Sequence, residues 1–220
     1  SNLMQYYSNP ENSNYQNIID EIKILSKNVD EISEFRVIGG EPMMNKNWAK
    51  ICNGILDEDN NRKIYVYTNG TVPAKDEDLE SLKNKNVNFT ITDYGKLSKN
   101  IEKIKINLSK YKLSFTSTRV ENWVDCSRIK HHKRSAYDLK EVYKQCCAKH
   151  LYTLLNGKIY SCPFIANADN LKAIPNNYSN YIDLYSEKNI RKKIDNMINK
   201  IQFLPGCDFC DGRPNDPTTA

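Results

Sequence analysis

Apolar residues along the first half of the chain alternate between two spacings. Ile18, Ile22 and Leu25 recur at helical spacing. Ser13-x-x-Gln16 ahead of them reads as a capping box, so a helix is predicted over 14–28. Residues 35–38 form a short run, Phe-Arg-Val-Ile, that predicts a strand stopping at Gly39-Gly40. Further helices are predicted over 46–56, 76–84 and 97–108, and further strands over 64–67, 87–92 and 113–116. Strands that alternate with helices predict an α/β fold with a parallel sheet and right-handed crossovers. Because the pattern opens on a helix, one strand is expected ahead of residue 1.

The second half changes character. A linker-like stretch, 119–136, leads to a helix ending near Lys144. Residues 151–155 and 158–160 flank Asn156-Gly157, a strong hairpin signal. Ile190, Ile194, Met197, Ile198 and Ile201 predict an amphipathic helix over 187–201, and Pro205-Gly206 then turns the chain. The expected division is therefore 1–118, a linker 119–136, and a small α+β extension over 137–220.

With 220 residues and 39% hydrophobic content, the chain can bury one sizeable core plus an appendage. A mean hydropathy of -0.70 reflects abundant Asn and Lys. No apolar run approaches the ~20 residues needed to span a membrane, and no signal peptide is visible. Ser1-Asn2-Leu3-Met4 does not look like a natural start, which suggests a fragment. The net charge of +5 is spread too evenly for a nucleic-acid-binding face. The densest basic stretch holds Arg128, Lys130, His131, His132, Lys133 and Arg134, and reads either as a solvated loop or as a contact for an anionic substrate.

Seven cysteines, an odd number with a vicinal pair at Cys146-Cys147, point to a reduced, cytoplasmic protein with a metal site. Cys52 sits on a predicted helix and reads as a buried apolar residue, and Cys126 stands alone in the linker. Cys147-x9-Gly157-x4-Cys162 and Cys207-x2-Cys210 form two pairs that together suit zinc or an iron–sulfur cluster. Cys146 satisfies a spacing one residue longer, so either neighbour can be the first ligand. The second pair lies 44 residues beyond the first, 163–206. Closing such a loop costs roughly 3 kcal/mol beyond a constant, while structural metal binding supplies about 10–16 kcal/mol. Metal is therefore expected to order residues 147–210.

Gly39-Gly40-Glu41-Pro42 follows a strand, at the sheet edge where α/β folds bind ligands. This motif resembles the Gly-Gly-Glu-Pro of radical S-adenosylmethionine (radical SAM) enzymes, and Thr68-Asn69-Gly70 resembles that family's third-strand ending. The cysteine pairs resemble the family's twitch or SPASM-type extension. The resemblance implies a partial (βα) barrel over 1–118, S-adenosylmethionine as cofactor, and an auxiliary [4Fe–4S] cluster on Cys146 or Cys147 with Cys162, Cys207 and Cys210. It also implies reductive cleavage of S-adenosylmethionine to a 5′-deoxyadenosyl radical that abstracts hydrogen from substrate. Gly39, Gly40, Glu41 and Pro42 would line the methionyl group, and Thr68, Asn69, Asp93, Thr118 and Arg119 would approach ribose and carboxylate. Partners would be a small-molecule or peptide substrate and an external electron donor. The family's Cys-x3-Cys-x2-Cys loop does not occur in these 220 residues. The radical-generating [4Fe–4S] cluster is then expected only in a full-length protein, and this chain alone is expected to be inactive. No catalytic residue is assigned. The competing reading is a non-catalytic binding domain with a structural four-cysteine zinc or iron–sulfur knot.

Overall fold

The computed structural model describes residues 3–121 and 128–212. They pack as two compact units, one over 12–121 and one combining 3–11 with 128–212. Cys126 and the middle of the expected linker, 122–127, lie outside the described residues.

The first unit runs α1 (Tyr15–Asn28), β1 (Glu34–Val37), α2 (Trp48–Glu58), β2 (Lys63–Thr68), α3 (Asp76–Leu82), β3 (Val87–Asp93), α4 (Ile101–Lys110) and β4 (Ser114–Arg119). The strands form one sheet in the order β1-β2-β3-β4, every pair parallel. Ile64, Val66, Val87, Phe89 and Ile91 are at most 2% exposed. Trp48 of α2 meets Phe89 edge-on at 6.0 Å, which fixes helix against sheet. The opposite face is polar. Arg36, Tyr65, Asn88 and Ser114 lie in one register row, and Tyr67, Thr90 and Thr116 in the next. The alternation along β2 and β3 thus has a physical cause, since a strand's period of two puts its apolar set on one side.

Three local expectations change. Asn14, not Ser13, caps α1, because its side-chain oxygen accepts from the Gln16 and Asn17 N–H groups. The helix expected over 97–108 divides into a 3-10 turn at Gly95–Leu97 and α4. The last strand runs on to Arg119, so Thr118 and Arg119 belong to β4 itself.

The second unit contains α5 (Ala136–Gln145), β5 (Thr153–Leu155), β6 (Lys158–Tyr160), α6 (Pro163–Asn170), β7 (Tyr181–Asp183) and α7 (Ile190–Asn199). β5 and β6 form the expected hairpin, with Asn156 and Gly157 both at positive φ as its turn demands. β7 adds antiparallel to β6. Leu3, Tyr160, Phe164, Ile165, Ala166, Ala168, Ile174, Tyr181 and Leu204 form a core, with Cys210 at its margin. This burial orders the region alongside whatever a metal contributes. No described helix is long and apolar enough to cross a membrane.

Candidate functional site

Two places carry chemistry, one in each unit. In the first unit the expected ligand residues lie along the carboxyl-terminal edge of the sheet. Gly39 is open, with nothing within 4 Å of where a Cβ would stand, so a ligand can reach its backbone. Pro42 begins a 3-10 turn, Pro42–Met44. The Glu41 side chain turns inward and is 6% exposed. Its carboxylate accepts from the Thr68 hydroxyl at 3.0 Å and the Asn69 N–H at 2.8 Å. It thereby ties the end of β1 to the end of β2. Burial raises its pKa above the usual glutamate range, and the Asn69 N–H and Thr68 hydroxyl oppose that rise. The Glu41 side chain is therefore committed to holding the loop after β2.

Asp93 ends β3. Its Oδ1 accepts from the Gly95 N–H at 2.7 Å and from Arg119 at 3.0 Å. The Gly95 N–H and then the Arg119 guanidinium hold its pKa below the carboxylate range. Gly95 has φ +65°, and a Cβ there would come within 2.5 Å of the Arg119 guanidinium, so only glycine lets the arginine lie across the turn. Thr118 is exposed, opposite Thr92. Asn69 uses its side-chain oxygen to fold its own loop, accepting from the Thr71 N–H at 2.9 Å.

The sequence reading missed Ser98. This buried hydroxyl donates to the Asn69 carbonyl at 2.6 Å and accepts from the Tyr94 N–H at 2.9 Å, joining the loops after β2 and β3. Gly95 was missed too, although Asp-x-Gly after a strand is a turn signal. The edge offers carboxylate, guanidinium, hydroxyl and bare backbone side by side. That donor set fits the ammonium, carboxylate and ribose of S-adenosylmethionine.

In the second unit the thiols come from separate segments. Cys146 caps the end of α5, Cys162 caps the start of α6, Cys207 lies within a 3-10 turn, Pro205–Phe209, and Cys210 closes that turn. All six described cysteines are thiols. Burial, with smaller contributions from Cys146 and Cys210, pushes Cys162 up to about 12. Burial likewise pushes Cys207 up to about 11, with Cys210 and Cys146 raising it and the Arg134 guanidinium lowering it. Cys147 is exposed, whereas Cys146 is half-buried at the end of α5.

Backbone donors support two of the sulfurs. The Ala148 N–H reaches Cys146 Sγ at 3.4 Å, and the Gly212 N–H reaches Cys210 Sγ at 3.4 Å. The start of α6 adds N–H groups of Phe164 and Ile165 that favour a Cys162 thiolate. Gly206 is buried, and a Cβ there would meet Ile165 at 2.8 Å. Among the described residues no three Cys, His, Asp or Glu stand close enough to hold one ion. A tetrahedral zinc shell needs sulfurs about 3.8 Å apart, from Zn–S bonds of about 2.3 Å. A cluster of four irons spreads its thiolates more widely, and four thiols with N–H donors are a donor set that fits it. Elsewhere Cys52 is fully buried on α2 and its thiol is pushed up to about 12, which confirms its apolar role.

Residues 5–109 match the family model of the Radical SAM superfamily. Among solved structures, the chain is similar to BtrN, crystallised in complex with AdoMet and 2-DOIA, at 12% identity and a TM-score of 0.52. That similarity covers 93% of this chain and 82% of the BtrN chain, and is one of fold. No curated protein matches at a significant level. The parallel sheet agrees with the match over residues 5–109, and that part of the chain is a radical SAM superfamily domain.

Proposed function

We propose that the sheet edge of this chain binds S-adenosylmethionine in an enzyme that abstracts hydrogen from its substrate, and that Cys146, Cys162, Cys207 and Cys210 hold an auxiliary [4Fe–4S] cluster. Membership of the superfamily implies reductive cleavage of S-adenosylmethionine, and that bond cleavage is the chemistry the cofactor supplies when bound. What supports the fuller reading is the pair of cysteine motifs in the sequence, placed at the end of α5, the start of α6 and the 3-10 turn at Pro205–Phe209.

The chain's own residues position and screen. Gly39 gives backbone access to the methionyl end, with Gly40 next to it in the motif, and Glu41 fixes the loop that follows. Asp93 and Arg119 form an oriented charge pair, which suits a zwitterionic ligand. Thr68, Asn69 and Thr118 complete the edge. BtrN's bound AdoMet supports taking the same ligand to this edge. The substrate is a small molecule or a peptide, an external donor supplies electrons, and the setting is the cytoplasm. With no Cys-x3-Cys-x2-Cys among its 220 residues, the chain alone is expected to bind S-adenosylmethionine without cleaving it.

Titration of the 15N-labelled chain with S-adenosylmethionine tests this reading even at weak affinity. The amides of Gly39, Gly40, Asn69, Asp93 and Arg119 should shift together, and Arg119→Ala should weaken the response several-fold. Shifts confined to other residues, or none at millimolar ligand, would contradict it.

A further inference from the structure

Residues 129–134 belong to the basic stretch of the sequence, and Lys130, His131 and Lys133 among them are exposed. They lie along the Cys207–Cys210 turn. Ile129 bridges Cys210 in antiparallel fashion. The Lys130 N–H donates to the Phe209 carbonyl and the His132 N–H to the Asp208 carbonyl, each at 3.0 Å. His131 stacks on Phe209 and pairs with Asp208 at 2.9 Å. At the end of this run stands Arg134. Its Nη1 donates to the carbonyls of both Cys207, at 3.0 Å, and Cys210, at 2.8 Å.

We propose that Arg134 is the positioning residue of the thiol site and sets the reduction potential of the cluster held there. The proposal rests on reading the four thiols as a cluster site. One guanidinium nitrogen grips the main chain of both ligand residues, so the turn's width is set by a contact independent of the metal. Asp208, the nearest acid, accepts the Arg134 backbone N–H at 2.8 Å and pairs with His131. Among the described residues no carboxylate pairs with the guanidinium itself. A permanent, half-buried positive charge therefore stands against the main chain of both Cys207 and Cys210. Reduction adds one negative charge to a cluster, and a fixed cation stabilises that state. Net charge and hydrogen bonding around the sulfurs govern such potentials. The charge should raise the potential, and the grip should slow the loss of iron.

The test uses this chain reconstituted without oxygen with iron and sulfide, as wild type, Arg134→Gln and Arg134→Lys. Far-ultraviolet circular dichroism checks that each is folded. Arg134→Gln should show a lower midpoint potential in a dithionite titration and several-fold faster iron loss to a chelator. Arg134→Lys should recover the potential, because the charge remains, but not the iron retention. Wild-type potential and retention in Arg134→Gln would overturn the proposal. Should that variant fail to fold, Arg134→Lys decides, since wild-type iron retention there would remove the positioning role. A wild-type chain that takes up no iron and sulfide brings down the cluster reading itself. A loaded wild type indifferent to position 134 brings down only the role of Arg134.

Discussion

Cys146→Ser is expected to abolish iron and sulfide uptake, and Cys147→Ser to leave it at the wild-type level. The two thiols are adjacent, and only the fold separates them. Cys146 closes α5, with its N–H on the Tyr143 carbonyl at 3.1 Å and its sulfur accepting the Ala148 N–H. Ala148 is fully buried, which anchors that donor. Cys147 lies between them and points outward, exposed. Serine keeps the shape but lacks the soft thiolate that clusters select. Bound iron should therefore fall from about four per chain to background in Cys146→Ser. Cys162, Cys207 and Cys210 variants should behave like Cys146→Ser. The measurement is iron and sulfide analysis of each reconstituted variant. Full loading of Cys146→Ser with loss in Cys147→Ser would reverse the assignment.

The second large effect is expected at Glu41. Glu41→Ala removes the acceptor for the Asn69 N–H and the Thr68 hydroxyl at the junction of β1 and β2. An unsatisfied buried donor costs about 1–3 kcal/mol. The first unit should lose about 3 kcal/mol, and the Asn69 amide should lose its protection from hydrogen exchange. Glu41→Gln keeps one oxygen acceptor and should cost less. It also separates charge from geometry. Burial raises the Glu41 pKa in the folded state, so folding favours the protonated form. Wild-type stability should fall as pH rises from the ordinary glutamate value through the raised folded one, and Glu41→Gln should lack that dependence. Wild-type stability and an Asn69 amide still protected in Glu41→Ala would contradict this account.

The first unit was largely legible in the sequence because each element advertised itself. Ile64-Tyr65-Val66-Tyr67 alternates, its apolar half is buried, and its tyrosines lie in the polar rows. The boundaries that slipped were set by tertiary contacts. Arg119 stays in β4 because the Val120 N–H bonds the Asp93 carbonyl and the guanidinium reaches Asp93. In the second unit, α6 was missed, since its eight residues are too few for clear periodicity and Pro163 reads as a breaker. Pro163 instead occupies the first helical turn, where no N–H is needed. β7 was missed because three residues carry no pattern, and only pairing with β6 defines it. The cysteine motif identified the thiols but could not choose between Cys146 and Cys147, because that choice depends on where α5 ends. The pairing of the basic stretch with 207–210 was not legible, because these partners lie more than seventy residues away.

The most direct test of the central claim is metal and sulfide analysis of this chain purified without oxygen, with its absorption spectrum. The account predicts about four iron and four sulfide per chain and a broad absorbance near ~400 nm, from cysteine ligation of a [4Fe–4S] cluster. One zinc and no sulfide would contradict it, making the four thiols a structural knot and leaving S-adenosylmethionine chemistry to rest on the sheet edge alone.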